Sequence, residues 1–261
     1  MTNLSGVIGA LLLGLLASSP LAAEEAAAAV KFLAGSDNSD EFPWDGEGWG
    51  ESWQVRWPQE YEKHLTVETT AENPLPGTSR RLEIHPLVEE GETFAGTSFH
   101  IDRALDAAAL DTLKPYTVAF KLRVDAAEQI DQTGLSVAGH PEDSDWGPVD
   151  SIWDVRIQKG YWYVVGQTDK EEVGEDGKKV LRFERLPLRV EPETAYSFLV
   201  HVDPTVGTYR VQISDGMDDV ESPELRSPNP KAMAKVQFRG EAGEGNPFVF
   251  SLAGLEISSV K

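Results

Sequence analysis

Residues 196–216, YSFLVHVDPTVGTYRVQISDG, decide the fold. Tyr196, Phe198, Val200 and Val202 alternate with other residues, and Tyr209, Val211 and Ile213 do the same after Asp203, Pro204 and Gly207. A period of two on either side of a cluster of turn formers predicts two half-buried strands joined by a loop. One face sends Tyr, Phe and Val into a core, and the other presents Ser197, His201, Arg210, Gln212 and Ser214.

The same pattern spreads outward along the chain. Residues 116–124 put Val118, Phe120, Leu122 and Val124 inward and Lys121 and Arg123 outward. Residues 152–158 and 161–166 flank Lys159-Gly160, a two-residue connection with Gly where positive φ is needed, which predicts a hairpin. Trp153, Val155 and Ile157 then point one way, and Asp154, Arg156 and Gln158 the other. Shorter strands are expected over 31–34, 52–57, 65–68, 81–85, 93–102, 134–138, 180–183, 186–190, 236–239 and 248–257, with a turn at Asp176-Gly177. One helix is expected over 102–113, with Leu105, Ala109 and Leu113 on one side and Pro115 as its stop. Three prolines mark 222–231, SPELRSPNPK, as a loop. Many short strands with turns between them and no long linker predict an all-β chain: a two-sheet antiparallel jelly-roll β-sandwich with at most one or two short helices, in one domain over 31–261.

Composition sets the partners. Forty-four acidic against 23 basic side chains give a formal charge of −21, which repels phosphate backbones and anionic membranes, so nucleic acid is not expected. Residues 7–17, VIGALLLGLLA, followed by SSPLAA, have the form of a signal peptide cleaved after Ala23, although residues 1–6 hold no Lys or Arg. That run is too short to span a bilayer, so no transmembrane segment is expected in the mature chain, which would be periplasmic or extracellular, with 24–30 as a disordered tail. With no cysteine, an exported domain has no disulfide and relies on its core. No cofactor is expected. Asp37, Asn38, Asp40, Asp45 and Glu47 offer oxygen ligands for a structural calcium, but their spacing fits no EF-hand loop. The five histidines are scattered, and 134–139, GLSVAG, misses Gly-x-Ser-x-Gly by one residue.

Binding is what the side chains support best. Aromatic rings stack on the apolar faces of sugars while polar neighbours fix orientation. Of seven tryptophans, Trp146, in a loop, and Trp162, opposite in phase to Tyr161 and Tyr163, are the ones expected within reach of a ligand. The outward set Lys121, Arg123, Asp154, Arg156, Gln158, Arg210 and Gln212 would gather four cations on one face if its strands were neighbours in one sheet. Such a face would attract an anionic glycan such as a uronate or sulfated polymer.

The strings PYTVAFKLRVD at 115–125, GYWYVVG at 160–166, the opening stretch, and PFVFSLAGLEISS at 247–259 resemble the concanavalin A-like lectin/glucanase superfamily, in particular the laminin-G-like jelly-roll domains of exported bacterial proteins. The resemblance implies two packed antiparallel sheets, a last strand returning beside the first, and ligands held on a concave face; it does not imply an enzyme. Laminarinase-type members carry Glu-x-Asp-x-x-Glu, with nucleophile and acid about 5–5.5 Å apart, and no such string is present; Glu191 and Glu193 flank Pro192 in a turn. Alginate-type lyases use Arg-x-Glu, Gln-x-His and a late Lys/Tyr strand; Arg81-Leu82-Glu83 and 158–163, QKGYWY, echo two of these, and Gln-x-His is absent. The expectation is a secreted, non-catalytic carbohydrate-binding domain whose partner is an extracellular glycan or other polymer. The alternatives are a polysaccharide lyase or glycoside hydrolase with a degenerate motif, and a structural or adhesion module.

Overall fold

The computed structural model describes residues 29–32, 53–56, 65–70, 75, 79–86, 97–105, 110–125, 135–144, 147–168, 180–242 and 248–260. The leader, the acidic 36–51 loop, the Asp176-Gly177 turn and Trp146 lie outside the described residues. The strands are β1 (Ala29–Phe32), β2 (Trp53–Arg56), β3 (Leu65–Thr70), β4 (Ser79–Pro86), β5 (Thr97–Ala104), β6 (Tyr116–Val124), β7 (Ser136–His140) and β8 (Trp153–Gln158). They continue as β9 (Tyr161–Gln167), β10 (Leu181–Arg189), β11 (Ala195–Asp203), β12 (Thr208–Ser214), β13 (Asp219–Glu221), β14 (Leu225–Arg226), β15 (Lys235–Ala242) and β16 (Phe248–Ser259). The described helical structure is a single 3-10 turn over Pro148–Asp150.

Every strand pair is antiparallel, in one hydrogen-bonded path that curls on itself. The first layer runs β2-β5-β15-β7-β8-β9, with β10 also on β9; β14 bridges β9 to β12, and the second layer continues β12-β11-β6-β16-β4-β3. The inward residues of the two layers meet. Trp162 of β9 packs edge-on against Tyr196 and Phe198 of β11 at 5.2 and 4.9 Å, and Phe238 of β15 meets Phe120 of β6 and Phe250 of β16 at 6.3 and 6.2 Å. That is the jelly-roll sandwich which alternation predicts, its core filled by the inward set of β6, β8, β11 and β12. At the corner, the buried Tyr209 hydroxyl reaches the Val165 carbonyl at 2.6 Å and the Asp154 carbonyl at 3.3 Å, tying β12 to β8 and β9.

The hairpin closes on Lys159 and Gly160, both at positive φ, and pairs Ile157 with Trp162 and Gln158 with Tyr161. The last strand does return beside the first, with Ala29 and Val30 opposite Ser258 and Ile257, so these two residues belong to β1 rather than to a tail. The expected helix over 102–113 is absent from its described part: Asp102, Arg103 and Ala104 extend β5 against Gln237, Val236 and Lys235. Leu105 packs against the core while Leu113 is exposed, so the two ends of the expected apolar side do not share one face. Within the proline-rich 222–231 segment, Leu225 and Arg226 form the bridging strand β14, a tertiary pairing that loop-forming composition hides. The two short strands expected over 180–190 are one, β10, which passes Pro187 by a register shift between Arg185 and Arg189.

Candidate functional site

The outward faces of the two layers lie on opposite sides of the molecule, and this separates the residues that alternation groups together. Lys121, Arg123, Arg210 and Gln212 stand on the outer face of the second layer, on β6 and β12. Asp154, Arg156 and Gln158 stand on the outer face of the first, on β8. The expected gathering of four cations on one face is therefore corrected. Alternation fixes in or out along a strand but says nothing of which layer the strand joins.

Two of these three cations on the second layer are paired. Arg123 Nε is 2.5 Å from Asp125, and Arg210 is 3.1 Å from Glu221, both across short local separations. Lys121 is exposed, and Gln212 lines a shallow cavity of about 460 Å³ with Ser197, Leu199, Ser214 and Glu221. Burial lowers the pKa of His201 there, the Arg210 cation lowers it further, and Glu221 opposes both.

Trp162, expected within reach of a ligand, is fully buried among core rings. The phase is right and the face is inverted, so Tyr161 and Tyr163 are the ones that point outward with Gln158 and Arg156.

The first layer assembles what the second does not. Arg239 of β15, Ser136 of β7, Arg156 of β8, Tyr163 of β9 and Arg185 of β10 are cross-strand partners in one unbroken row, each on the outer face of its strand. Rows on either side add Tyr161, Arg189 and Phe183, the last a large apolar ring left 44% exposed. Arg156 lies over the Phe183 ring at 5.5 Å and Arg185 over the Tyr161 ring at 4.8 Å, so guanidinium groups and rings interleave. Under this surface sit buried polar groups. Asp154 accepts from Ser136 Oγ and from Arg156 Nε, each at 3.1 Å, and also pairs with Arg156 Nη2. Burial works against the Arg156 charge, but the Asp154 carboxylate more than offsets it, and the Arg156 pKa lies above the ordinary arginine value.

His140 ends β7 with its Nδ1 2.8 Å from Ser144 Oγ. Burial pulls its pKa down to about 4; Asp154 acts against that, and Lys235 and Arg239 add to it. The unfolded chain therefore takes up this proton first as pH falls through 6.5. Stability is fully present above that value and is lost on the way down, by about 2 kcal/mol at pH 5 from this residue alone. Urea midpoints of the wild-type and His140→Gln proteins, measured from pH 7 to pH 5, are expected to converge as pH falls; parallel curves would show that His140 is not held neutral.

No group of three or more His, Asp or Glu side chains able to hold a metal occurs among the described residues, and none of their helices is long and apolar enough to cross a membrane. The two echoes of the alginate-type pattern fall on different layers: Arg81 pairs with Ser251 on β4 in the second, and Gln158 and Tyr163 lie in the first. Tyr161, Tyr163, Arg185, Phe183 and Arg239 are the residues that reading along single strands misses.

No family model matches the chain, and no curated protein matches it in sequence. Its fold is similar to solved structures. An endo-beta-1,4-glucuronan lyase from the fungus Trichoderma reesei is 14% identical, over 79% of this chain and 90% of that one, with a TM-score of 0.50. Arcelin-5, a lectin-like defense protein from Phaseolus vulgaris, is 11% identical over 89% and 99%, at 0.47. A sialidase is 14% identical over 76% of this chain, at 0.48, and this chain spans only 17% of its length. At these identities the likeness to the glucuronan lyase is one of fold alone: an antiparallel β-sandwich.

Proposed function

We propose that the outer face of the first layer binds an acidic carbohydrate polymer and does so without turning it over. The observation that carries this is the row Arg239–Ser136–Arg156–Tyr163–Arg185, with Tyr161 and Phe183 beside it. Rings offer sugars an apolar stacking surface, and guanidinium groups offer a carboxylate or sulfate paired N–H donors. The chain as a whole carries −21, so a local set of arginines stands out against a field that repels anions elsewhere. A carbohydrate-related role accords with the fold, which resembles that of a glucuronan lyase. The proposal includes export by the 1–23 leader and a single laminin-G-like domain thereafter, which places the face where extracellular glycans are.

Retention on an immobilised acidic polysaccharide tests it. Tyr163→Ala and Arg185→Glu are each expected to weaken retention about tenfold or more, or ~1.4 kcal/mol. Arg210→Glu on the opposite side is expected to leave it unchanged. Equal retention of all three would remove the first layer from consideration.

A second reading has one observation in its favour. The Tyr163 ring stands in register between Arg156 and Arg185, and a phenol between two guanidinium groups suits proton removal beside a uronate carboxylate. Ultraviolet absorbance from unsaturated products, abolished in Tyr163→Phe, would replace the binding role with a lyase.

A further inference from the structure

The outer row has a period. Along the hydrogen-bonded path, arginine recurs on every second strand: Arg239 on β15, Arg156 on β8 and Arg185 on β10, with Ser136 and Tyr163 on the strands between. The same register runs on through His100 of β5 to Arg56 of β2, so the backbone places arginine at the first, third, fifth and seventh strands of the layer. Neighbouring strands lie about 4.8 Å apart, which puts the arginine positions about 9.6 Å from one another and makes the row about 29 Å long.

We propose that the ligand is an extended glycan lying across the strands, one ring per strand, that turns one acidic group toward the sheet per disaccharide. This rests on the binding role proposed above and narrows it. In an extended glycan with equatorial linkages a ring advances about one strand spacing, and successive rings face alternate ways. Substituents therefore return to the same side on every second ring. An acid there meets an arginine, and the ring between meets Ser136 or Tyr163. Two nitrogens of Arg156 are fixed by Asp154, which sets the central contact point. Arg185 lies over the Tyr161 ring on one flank, and Arg239 takes the equivalent position on the other. On one side the neighbouring row has Gln237 and Asp102 at the β15 and β5 positions, so the arginine period is not repeated there.

Three probes separate charge spacing from charge number, with titration calorimetry of the full chain as the readout. They are a hyaluronan octasaccharide, with four carboxylates at one per disaccharide, and glucuronan octa- and tetrasaccharides, with eight and four. The two octasaccharides are expected to bind within about threefold of each other, and the tetrasaccharide at least tenfold more weakly. Arg239→Gln combined with Arg185→Gln is expected to bring both octasaccharides down to the tetrasaccharide level. Affinity that follows the number of carboxylates, or octasaccharide binding untouched by the double substitution, would overturn the period while leaving the binding face standing. If no probe binds at all, the binding role falls with it.

Discussion

Gly139→Ala is expected to destabilise the protein by about 3 kcal/mol or more, the upper end of what overpacking a core costs. Gly139 is the cross-strand partner of Trp153, whose side chain is fully buried. A Cβ on Gly139 would lie 2.3 Å from the Trp153 Nε1 atom, 2.5 Å from the Met233 sulfur and 2.7 Å from Trp153 Cε2. None of these has room to retreat. The indole N–H points at the Met233 sulfur 3.3 Å away, and the Tyr116 hydroxyl approaches the same sulfur at 3.6 Å, so one added methyl displaces three large buried side chains together. In a chain of this size that loss corresponds to a fall in melting temperature of roughly 6–12 °C. Gly147→Ala is the control, because its Cβ would meet nothing nearer than 3.5 Å. A Gly139→Ala protein melting within two degrees of wild type would mean that Trp153 has an alternative packing.

How much of this was open to inspection in the chain itself depends on which question is asked. The period of two gave β6 both of its ends, Tyr116–Val124, and brought β8, β9, β11 and β12 to within a residue, because each has one face in the core and one outside. The helix over 102–113 failed because apolar residues four apart, Leu105, Ala109 and Leu113, occur equally in a strand end followed by a turn. Strands β13 and β14, of three and two residues, exist through pairing with β12 and β9, and local composition carries no trace of that. The functional face was half readable. A two-residue hairpin turn pairs Ile157 with Trp162, and since Ile157 is inward, Trp162 must be inward as well, with Tyr161 and Tyr163 outside. That step needs only the sequence. The row from Arg239 to Arg185 does not yield to it, because those residues are brought together by strand order, and β15 enters between β5 and β7 from more than a hundred residues away.

Arg156→Ala is expected to cost about 3–5 kcal/mol, the range for breaking a buried ion pair from one side. The Asp154 side chain is 2% exposed and depends on the Arg156 guanidinium and the Ser136 hydroxyl; without the guanidinium it is a desolvated carboxylate with one neutral donor. The converse change is milder, since the Arg156 side chain is 21% exposed and reaches solvent. If the cost comes from the stranded charge, Asp154→Asn/Arg156→Met should recover most of the stability, because a neutral amide beside a thioether leaves no ion in the interior. Urea unfolding of the two single variants and the double measures the coupling directly. Polysaccharide retention should part company with stability here: the double variant regains the fold but lacks the central guanidinium, so it stays as weak a binder as Arg156→Ala. Should the double variant bind like wild type, Arg156 would serve the sheet alone, and the cationic row would be broken at its middle.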